Sequence, residues 1–404
     1  MSHTVQEVFQ RGYEEYIERF NPSTIQKKAA SDIMKCKTGE LGYFNFICLD
    51  CGHEERRPRS CRNRHCPSCQ SVPREKWIDQ RKSEIFDDVP YFHVIMTVPH
   101  QLLPVFIRNQ KLLYSLLHRC SSDSIIELSR SNNGIGGTPC ITQLLHTWGN
   151  MMTYHPHIHA IVSGVGLSPD KQLVRCKESF LFPIPMLMRL FRGKFLHHLN
   201  ELYQSDSLVL PEHLNHLAWL NLMERLHNID WAPFIKETFN GNGNAIDYLG
   251  RYTHRVAISN SRIKVVTDTH ITFAAFNYKT MSAVDVTLPL VEFIRRFLLH
   301  ILPKGVQKIR HSGLLNNRFK RRNLNLLAFL LNKKLREAKL KGLSLGDMLL
   351  RQWEINISIC PVCHRPSLVH ASLPFNLLLK TLPIAYFFEN PSQRFVCVAC
   401  ILQF

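Results

Sequence analysis

The sequence contains no run of eighteen or more apolar residues, so it offers no candidate for a transmembrane helix. Its N-terminus is polar, with Glu7, Glu14 and Glu15 close to the start, which argues against a signal peptide. A His-Glu-x-x-His segment is also missing, which disfavours a zinc protease of that class. We therefore expect a protein of the cytoplasm that has no membrane partner.

Acidic residues are scarce relative to basic ones. The 404 residues include 50 Lys and Arg against 32 Asp and Glu, so the formal net charge is +18. Such an excess points to polyanionic partners, nucleic acid first and an anionic membrane second. Hydrophobic residues make up 45% of the chain, which is enough for two or three domains with a real core.

The thirteen cysteines argue for metal binding rather than disulphides, because cytosolic thiols stay reduced and eight of these cysteines form Cys-x-x-Cys pairs. Two pairs close in sequence predict a structural, tetrahedral zinc site, with ligands Cys48, Cys51, Cys66 and Cys69. Three residues of the same segment are alternative or spare ligands: His53, Cys61 and His65. Cys36 lacks a close partner in the sequence, and we expect it to be structural.

The other two pairs lie near the C-terminus. They predict a second zinc ribbon with a long insert, and its ligands are Cys360, Cys363, Cys397 and Cys400. The insert is apolar over 368–388, which is compatible with a packed hairpin, a helix or a protein contact.

Three histidines alternate along residues 153–162, a segment that is β-branched towards its end and predicts a strand. Successive side chains of a strand point to opposite faces, so His157 and His159 project together while Ile158 faces a core. One divalent cation would satisfy two buried imidazoles at once, although histidines with other core partners are the alternative. Pro156 cannot donate to a sheet ladder, so regular pairing is expected just after it.

A third ligand is expected from the preceding segment. Residues 141–148 and the histidine strand flank a loop near Gly149 and Asn150, which predicts a hairpin. His146 would then lie beside the two histidines and is the first candidate. His155 and Asn150 are the next candidates.

A further stretch, residues 244–255, predicts a helix that begins at Asn244. Tyr248 and Tyr252 are four residues apart, so both phenols share one helical face. Gly250 between them costs the helix about 1 kcal/mol relative to Ala, which suggests that another element approaches closely there. Packing of both tyrosines as an amphipathic stripe is the commoner interpretation of such a pair taken alone.

These residues resemble a known family. His157-Ile158-His159 is similar to the His-hydrophobic-His signature of HUH endonucleases, and residues 248–255 resemble the two-tyrosine motif of rolling-circle transposases typified by insertion sequence ninety-one. The resemblance covers nearly the whole chain and includes the segments 60–70, 145–149, 191–195 and 302–305.

The resemblance implies nicking of single-stranded DNA through a 5′-phosphotyrosine intermediate, with release of a free 3′-hydroxyl. It implies Tyr248 and Tyr252 as nucleophiles and His157 and His159 as ligands of Mg²⁺ or Mn²⁺. A phenol with a pKa of about 10 is a poor nucleophile near neutral pH, so the metal has to activate the phosphate. The implied partner is DNA, mainly the single-stranded or hairpin ends of its own element, at the nucleoid of a bacterial cytoplasm.

Basic residues cluster in three places. Residues 304–341 alone hold twelve Lys or Arg against one acid, and this density favours phosphate binding over a merely solvated amphipathic helix. The residues predicted to contact DNA are Arg56, Arg57, Arg59, Arg62 and Arg64 on a loop between the first cysteine pairs, Arg251 and Arg255 after the tyrosines, and Lys304, Lys308, Arg310, Arg318, Lys320, Arg321 and Arg322.

The patterns together predict an α+β chain of three domains. These are an N-terminal zinc-binding domain (1–85), an antiparallel-sheet HUH nuclease domain with a helical insertion (86–282), and a basic helical DNA-binding region with the second zinc ribbon (283–404). The predicted function is a transposase that mobilises an insertion sequence by rolling-circle transposition. A replication initiator or relaxase with the same chemistry, and a non-catalytic zinc-dependent DNA-binding regulator, are the alternatives.

Overall fold

The computed structural model describes residues 3–177, 180–240, 250, 257–277 and 280–371. The chain divides into two compact units, the first formed by residues 1–30 and 64–339 and the second by 31–63 and the chain from 340 onwards. The architecture is α+β with antiparallel sheets, as the sequence predicted. Among the described helices, none is both long and apolar enough to cross a bilayer.

The elements are numbered in chain order. The described helices are α1 (Val5–Arg19), α2 (Thr24–Met34), α3 (Ser71–Lys82), α4 (Leu103–Arg108), α5 (Gln110–Arg130), α6 (Ile184–Gln204), α7 (His216–Asn228), α8 (Leu290–Leu299), α9 (Lys320–Leu330) and α10 (Leu345–Trp353). The strands are β1 (Tyr43–Cys48), β2 (Glu54–Pro58), β3 (Pro90–Thr97), β4 (Thr138–Trp148), β5 (Tyr154–Leu167), β6 (Leu173–Arg175), β7 (Phe234–Asn240), β8 (Ile263–Val266), β9 (His270–Asn277), β10 (Ser282–Pro289), β11 (Ile309–Gly313) and β12 (Leu368–Ala371).

The large sheet of the first unit has the order β11-β4-β5-β3-β7, with β6 paired to β5. Its two faces follow from the alternation of side chains along β5. Ile158, Ala160 and Val162 belong to the main core with α5 and α6, whereas Ile161 belongs to a second cluster that includes Ile78 of α3. The odd-numbered residues of β5, the histidines among them, therefore face away from the main core.

The β4–β5 hairpin is tight. Trp148 pairs with Tyr154, so the strand includes Pro156, but the unbroken register begins at His157, just after the proline, as the sequence predicted. The pairing register shifts between His146 and Trp148. This irregularity accommodates Pro156, which has no backbone N–H group to donate to the ladder. Pairing before Pro156 also fixes His155 within the strand.

Three basic side chains hold the hairpin loop by its backbone. Arg262 donates to the carbonyl of Asn150 at 2.6 Å and Arg296 to that of Met151 at 3.3 Å. His300 lies with Nε2 3.3 Å from the carbonyl of Met152. These bonds come from elements after β7, so the distal part of the chain fixes the hairpin that carries the histidines.

Apolar residues at 256–258, 262–266 and 271–276 also predict strands that would complete the antiparallel sheet, but two of these strands belong elsewhere. β8 and β9 pair with β10 in a separate three-stranded sheet, against which α8 packs. Ala257 and Ile258, also predicted as strand, are in no strand. The open edge of β4 is instead covered by β11, which lies in the region predicted to be basic and helical. The prediction assigned the strands nearer in sequence to the histidine sheet, but the free edge of β4 pairs with the more distant strand β11.

The second unit contains a small sheet of order β12-β1-β2. Cys48 at the end of β1 pairs with Leu368 at the start of β12, so chain segments more than 300 residues apart lie side by side. Arg56 and Arg57 lie on β2 rather than on the predicted loop.

Buried histidines make the stability of the first unit sensitive to acid. Burial lowers the pKa of His118 to about 3 and that of His300 to about 4. As the pH falls below about 6.5, the unfolded chain takes up protons at these positions while the folded chain stays neutral. The free energy of unfolding should therefore fall between about pH 6.5 and about pH 4, by up to about 1.4 kcal/mol per pH unit for each histidine.

Urea denaturation at a series of pH values checks this expectation. His118→Gln should flatten the pH dependence of the unfolding midpoint, whereas His213→Gln, at an exposed position, should leave it unchanged. Identical pH profiles for wild type and His118→Gln would contradict the assignment.

Candidate functional site

Three histidines of β4 and β5 lie together on one face of the large sheet. His146 pairs with His157 across the hairpin, and each of His146, His157 and His159 offers a ring nitrogen within 4.8 Å of the others. Nε2 of His157 lies 2.9 Å from Nε2 of His159. All three are at most 8% exposed. The structure thus brings the first candidate for the third ligand to the pair, while His155 is not in the group.

The remaining ring nitrogens of the pair are already engaged. Nδ1 of His157 donates to the carbonyl of His155 at 2.7 Å, and Nδ1 of His159 lies 2.7 Å from Nε2 of His93. The rings of His93 and His159 are stacked with centroids 5.0 Å apart. Metal-binding histidines generally have the second nitrogen held in this way, because it fixes the ring and its tautomer.

His93 was missed by the sequence analysis. Alternating apolar residues over 91–98 predict a strand, but its histidine was given no role. No local pattern indicated one, because His93 shares a face with Ile95 and reaches His159 only through the pairing of Ile95 with His159. That β3 pairs with β5 follows from the sheet order of the structure and not from the sequence.

The three imidazoles fit a divalent cation. Two nitrogens bound at right angles about 2.1 Å from one ion lie about 3.0 Å apart, close to the 2.9 Å between the Nε2 atoms of His157 and His159. Burial, reinforced by the neighbouring histidines, lowers the pKa of His157 to about 3 and that of His159 well below its ordinary value. Both rings are therefore neutral near pH 7, which is the form that binds metal.

A cation and an indole ring border this group. Trp148 stacks on His146 with centroids 4.6 Å apart, and Nζ of Lys308 lies 4.8 Å from the Trp148 ring centre. Burial, and then the charge of Arg64, lowers the pKa of Lys308 to about 7. Arg64 donates to the carbonyl of Val306 at 3.1 Å and so ties down the loop before Lys308. Lys308, predicted as a DNA contact, therefore lies beside the histidines.

The tyrosine motif lies largely outside the described residues. Tyr248, Tyr252, Arg251 and Arg255 are all beyond them, so the predicted nucleophiles have no described position. Gly250 is described and buried, and a Cβ built there would lie 2.4 Å from Cδ1 of Ile78. The predicted close approach at this glycine is confirmed.

The remaining basic residues differ in their surroundings. Arg57 donates to Glu55 at 2.8 Å and lies over the ring of Phe46, while Arg59 lies over Phe44. Both guanidinium groups thus lie against rings of the second unit's sheet, Arg57 half-buried and Arg59 exposed.

In the first unit, Lys320 forms an ion pair with Glu84, and Arg318 and Arg322 both lie over the ring of Phe319. Among the described residues, four predicted DNA contacts are exposed and their side chains form no hydrogen bond, ion pair or cation–π contact of this kind: Arg56, Arg62, Lys304 and Arg321. Arg310 hydrogen-bonds to Ser115 of α5.

The cysteine pairs are grouped differently from the prediction. Cys48 and Cys51 lie with Cys360 and Cys363, with Sγ–Sγ distances of 3.5 Å for Cys48–Cys363 and 3.7 Å for Cys51–Cys360. Four sulphurs bound tetrahedrally at about 2.3 Å from zinc lie about 3.8 Å apart. The geometry therefore fits one structural zinc, and the predicted set with Cys66 and Cys69 was wrong.

The physical reason is the pairing of β1 with β12. Each pair sits on a tight turn, with a positive φ of 74° at Gly52 and 58° at His364, and the β1–β12 ladder brings these turns together. Cys66 and Cys69 instead flank a short 3₁₀ turn before α3. Cys397 and Cys400, the predicted partners of Cys360 and Cys363, lie outside the described residues.

Cys36 also differs from expectation. The backbone N–H of Cys61 donates to Sγ of Cys36 at 3.5 Å, so Cys36 does have a cysteine neighbour. The partner comes from a segment 25 residues later, which spacing alone did not indicate. Cys66 follows Cys61 by only five positions in the chain.

Comparisons with known proteins found two matching family models and two similar curated proteins. Residues 8–98 match the family model described as "Transposase zinc-binding domain", and residues 140–323 match the one described as "Putative transposase". The chain is 35% identical to putative transposase y4qJ of Sinorhizobium fredii over 381 residues, which cover 90% of this chain and 94% of that protein. It is 28% identical to the transposase for insertion sequence element IS801 of Pseudomonas savastanoi pv. phaseolicola over 306 residues, 73% and 71% of the two chains. No solved structure matches significantly.

Zinc content tests the cysteine grouping. If Cys48 and Cys360 bind the same ion, the double variant Cys48→Ser, Cys360→Ser should lose one zinc equivalent, as each single variant does. If they bind different ions, as the sequence suggested, the double variant should lose two. Elemental analysis of the purified proteins gives the count, and Cys176→Ser, a cysteine outside the potential metal-binding groups of the described residues, should lose none.

A double-mutant cycle tests the approach at Gly250. Gly250→Ala should destabilise the protein by about 1–3 kcal/mol through overpacking against Ile78, and Ile78→Ala in the same chain should reduce that penalty. Gly193→Ala is the matched control, because that helical glycine has open space around it and should stabilise by up to about 1 kcal/mol. Additive effects at positions 78 and 250 in urea denaturation would contradict the contact.

Proposed function

The chain belongs to the IS91 family of transposases, and from that premise we propose that it cuts and rejoins single-stranded DNA through a 5′-phosphotyrosine linkage. Tyr248 and Tyr252 are the nucleophiles, and His146, His157 and His159 hold a divalent cation. The observation that carries the proposal is that His146, His157 and His159 offer ring nitrogens within 4.8 Å of one another, with His157 and His159 held by hydrogen bonds at their other nitrogens.

The cation supplies charge stabilisation at the scissile phosphate when it is bound. Imidazole ligands favour Mn²⁺ over Mg²⁺ in affinity, although the greater abundance of Mg²⁺ can offset this preference. His93 and the carbonyl of His155 orient the ligands, because each engages the ring nitrogen that faces away from the ion.

In the cutting step, the phenolic oxygen of one tyrosine attacks the phosphorus and the bond from phosphorus to the 3′-oxygen breaks. The phenol loses its proton and the departing 3′-oxygen gains one, so the strand ends in a free 3′-hydroxyl. The phosphotyrosine ester retains the energy of the broken bond, and a 3′-hydroxyl can therefore attack it and release the tyrosine without ATP. Two tyrosines allow one to hold the first strand while the other attacks a second site.

Two features support placing the tyrosines at the histidine face. Gly250, midway between them in the chain, packs against Ile78, and Ile78 shares a cluster with Ile161 on that face of the sheet. Lys308 beside Trp148 adds a positive charge where a phosphate would bind. The partner is DNA, single-stranded or in hairpin ends of its own element, at the bacterial nucleoid. The two relatives with matching length are both transposases by name, which favours transposition over plasmid replication.

A covalent adduct tests this proposal. Full-length protein incubated with end-labelled single strands from its element and Mn²⁺ should give a protein-linked DNA band on a denaturing gel. The double variant Tyr248→Phe, Tyr252→Phe should abolish the band, because no phenol remains to form the ester, whereas each single variant should keep part of it. Tyr203→Phe, on α6, is the control and should retain it. An adduct that survives the double variant would reject these nucleophiles, and binding without any adduct would favour a DNA-binding regulator.

A further inference from the structure

A cavity of about 880 Å³ lies on the face of the large sheet away from the histidines. It is bounded by α5, the C-terminal part of α6, and the strands β4 and β11. Gln143 of β4 lines it, three residues before His146 and therefore on the opposite side of the strand. Ligand sites typically have volumes of about 300–1,000 Å³, so the cavity has room for a molecule of nucleotide size.

Arg310 is a charge in this cavity that has no counter-ion among the described residues. It pairs with Gln143 through the strands, and its Nη2 donates to the hydroxyl of Ser115 at 2.9 Å. Its Nε has no hydrogen-bond partner among the described atoms. Burial lowers the pKa of Arg310, and no acidic group raises it again. A partly desolvated guanidinium without an anion is unfavourable, so an anionic ligand would stabilise it.

The rest of the lining fits a phosphate attached to an apolar group. Arg119 adds a second, exposed positive charge. The acidic residue of the lining, Glu201, is already paired with His198 at 2.6 Å. Leucines make up much of the remaining wall: Leu112, Leu116 and Leu202.

We propose that this cavity binds one nucleotide unit of a DNA strand, with the phosphate at Arg310 and Arg119 and the sugar and base against the leucine wall. A bare inorganic anion would leave the apolar wall uncovered. A nucleotide unit in a strand and a free nucleotide share this chemistry, so the experiment below separates them. The inference rests on the proposal that the substrate is single-stranded DNA, but it concerns binding at a place other than the histidines.

The test measures binding without cleavage. Fluorescein-labelled oligothymidylate of about twelve nucleotides is titrated with the full-length protein at several salt concentrations, without added Mg²⁺ or Mn²⁺. Arg310→Gln and Arg119→Gln should each weaken binding about tenfold, as expected for a charge-assisted hydrogen bond. Each should also reduce the slope of log affinity against log salt by about 0.7, the value for one single-strand phosphate.

Two further variants separate the cavity from general charge. Leu202→Trp fills the cavity without changing the charge and should weaken binding similarly. Arg189→Gln, which removes an exposed charge on the same helix α6, should have a much smaller effect. Thermal unfolding of every variant identifies folding defects, and Arg119→Gln and Leu202→Trp decide the question if Arg310→Gln does not fold.

Competition with thymidine 5′-monophosphate identifies the occupant. Displacement of the labelled strand by the monophosphate from wild type but not from Leu202→Trp would support the cavity as the nucleotide site. Monophosphate binding that depends on Arg310, with strand affinity unchanged in all variants, would assign the cavity to a free nucleotide instead of the strand. Wild-type affinity for both ligands in every cavity variant would overturn the proposal. A strand that binds through the cavity but is never cut would leave this inference standing while rejecting the nuclease.

Discussion

The pairing of β4 with β5 is the constraint on which the candidate site depends. In this register His146 stands opposite His157, and Leu144 opposite His159. Because side chains alternate along a strand, a slip of one residue would turn His157 and His159 into the main core and bring Ile158 out. The apolar residues between the histidines therefore specify the register, since burying Ile158 and Ala160 is compatible with one alternation only.

The hairpin depends in turn on later parts of the chain. Its loop is held by Arg262, Arg296 and His300, and its open edge is covered by β11. The large sheet is therefore assembled from segments that are distant in sequence. This is why residues 283–404, predicted as a separate DNA-binding region, include a strand of the same sheet as the histidines.

Local patterns in the sequence were sufficient for the parts of the site that are local. Alternation predicted the shared face of His157 and His159, and the short loop predicted the neighbour His146. The pairing of strands that are distant in sequence could not be predicted from these local patterns. His93 joins the group only because β3 pairs with β5, and Cys360 joins Cys48 only because β12 pairs with β1. Cysteine spacing identified the candidate thiol pairs, but not which pairs lie together.

The two faces of the large sheet have different chemistry. One carries neutral imidazoles around a common point, with Lys308 beside them. The other carries Arg310 in a cavity with no counter-ion among the described residues. Both arrangements suit an anionic polymer, the first for reaction at a phosphate and the second for holding a strand, and both agree with the net charge of +18.

The central claim is that one cation is bound by His146, His157 and His159. Its most direct test is electron paramagnetic resonance of Mn²⁺ titrated into the full-length protein, with His146→Ala and His155→Ala compared with wild type. The account predicts one tight site in wild type and in His155→Ala, and at least tenfold weaker binding in His146→Ala. Tight binding retained in His146→Ala, or lost in His155→Ala, would contradict it.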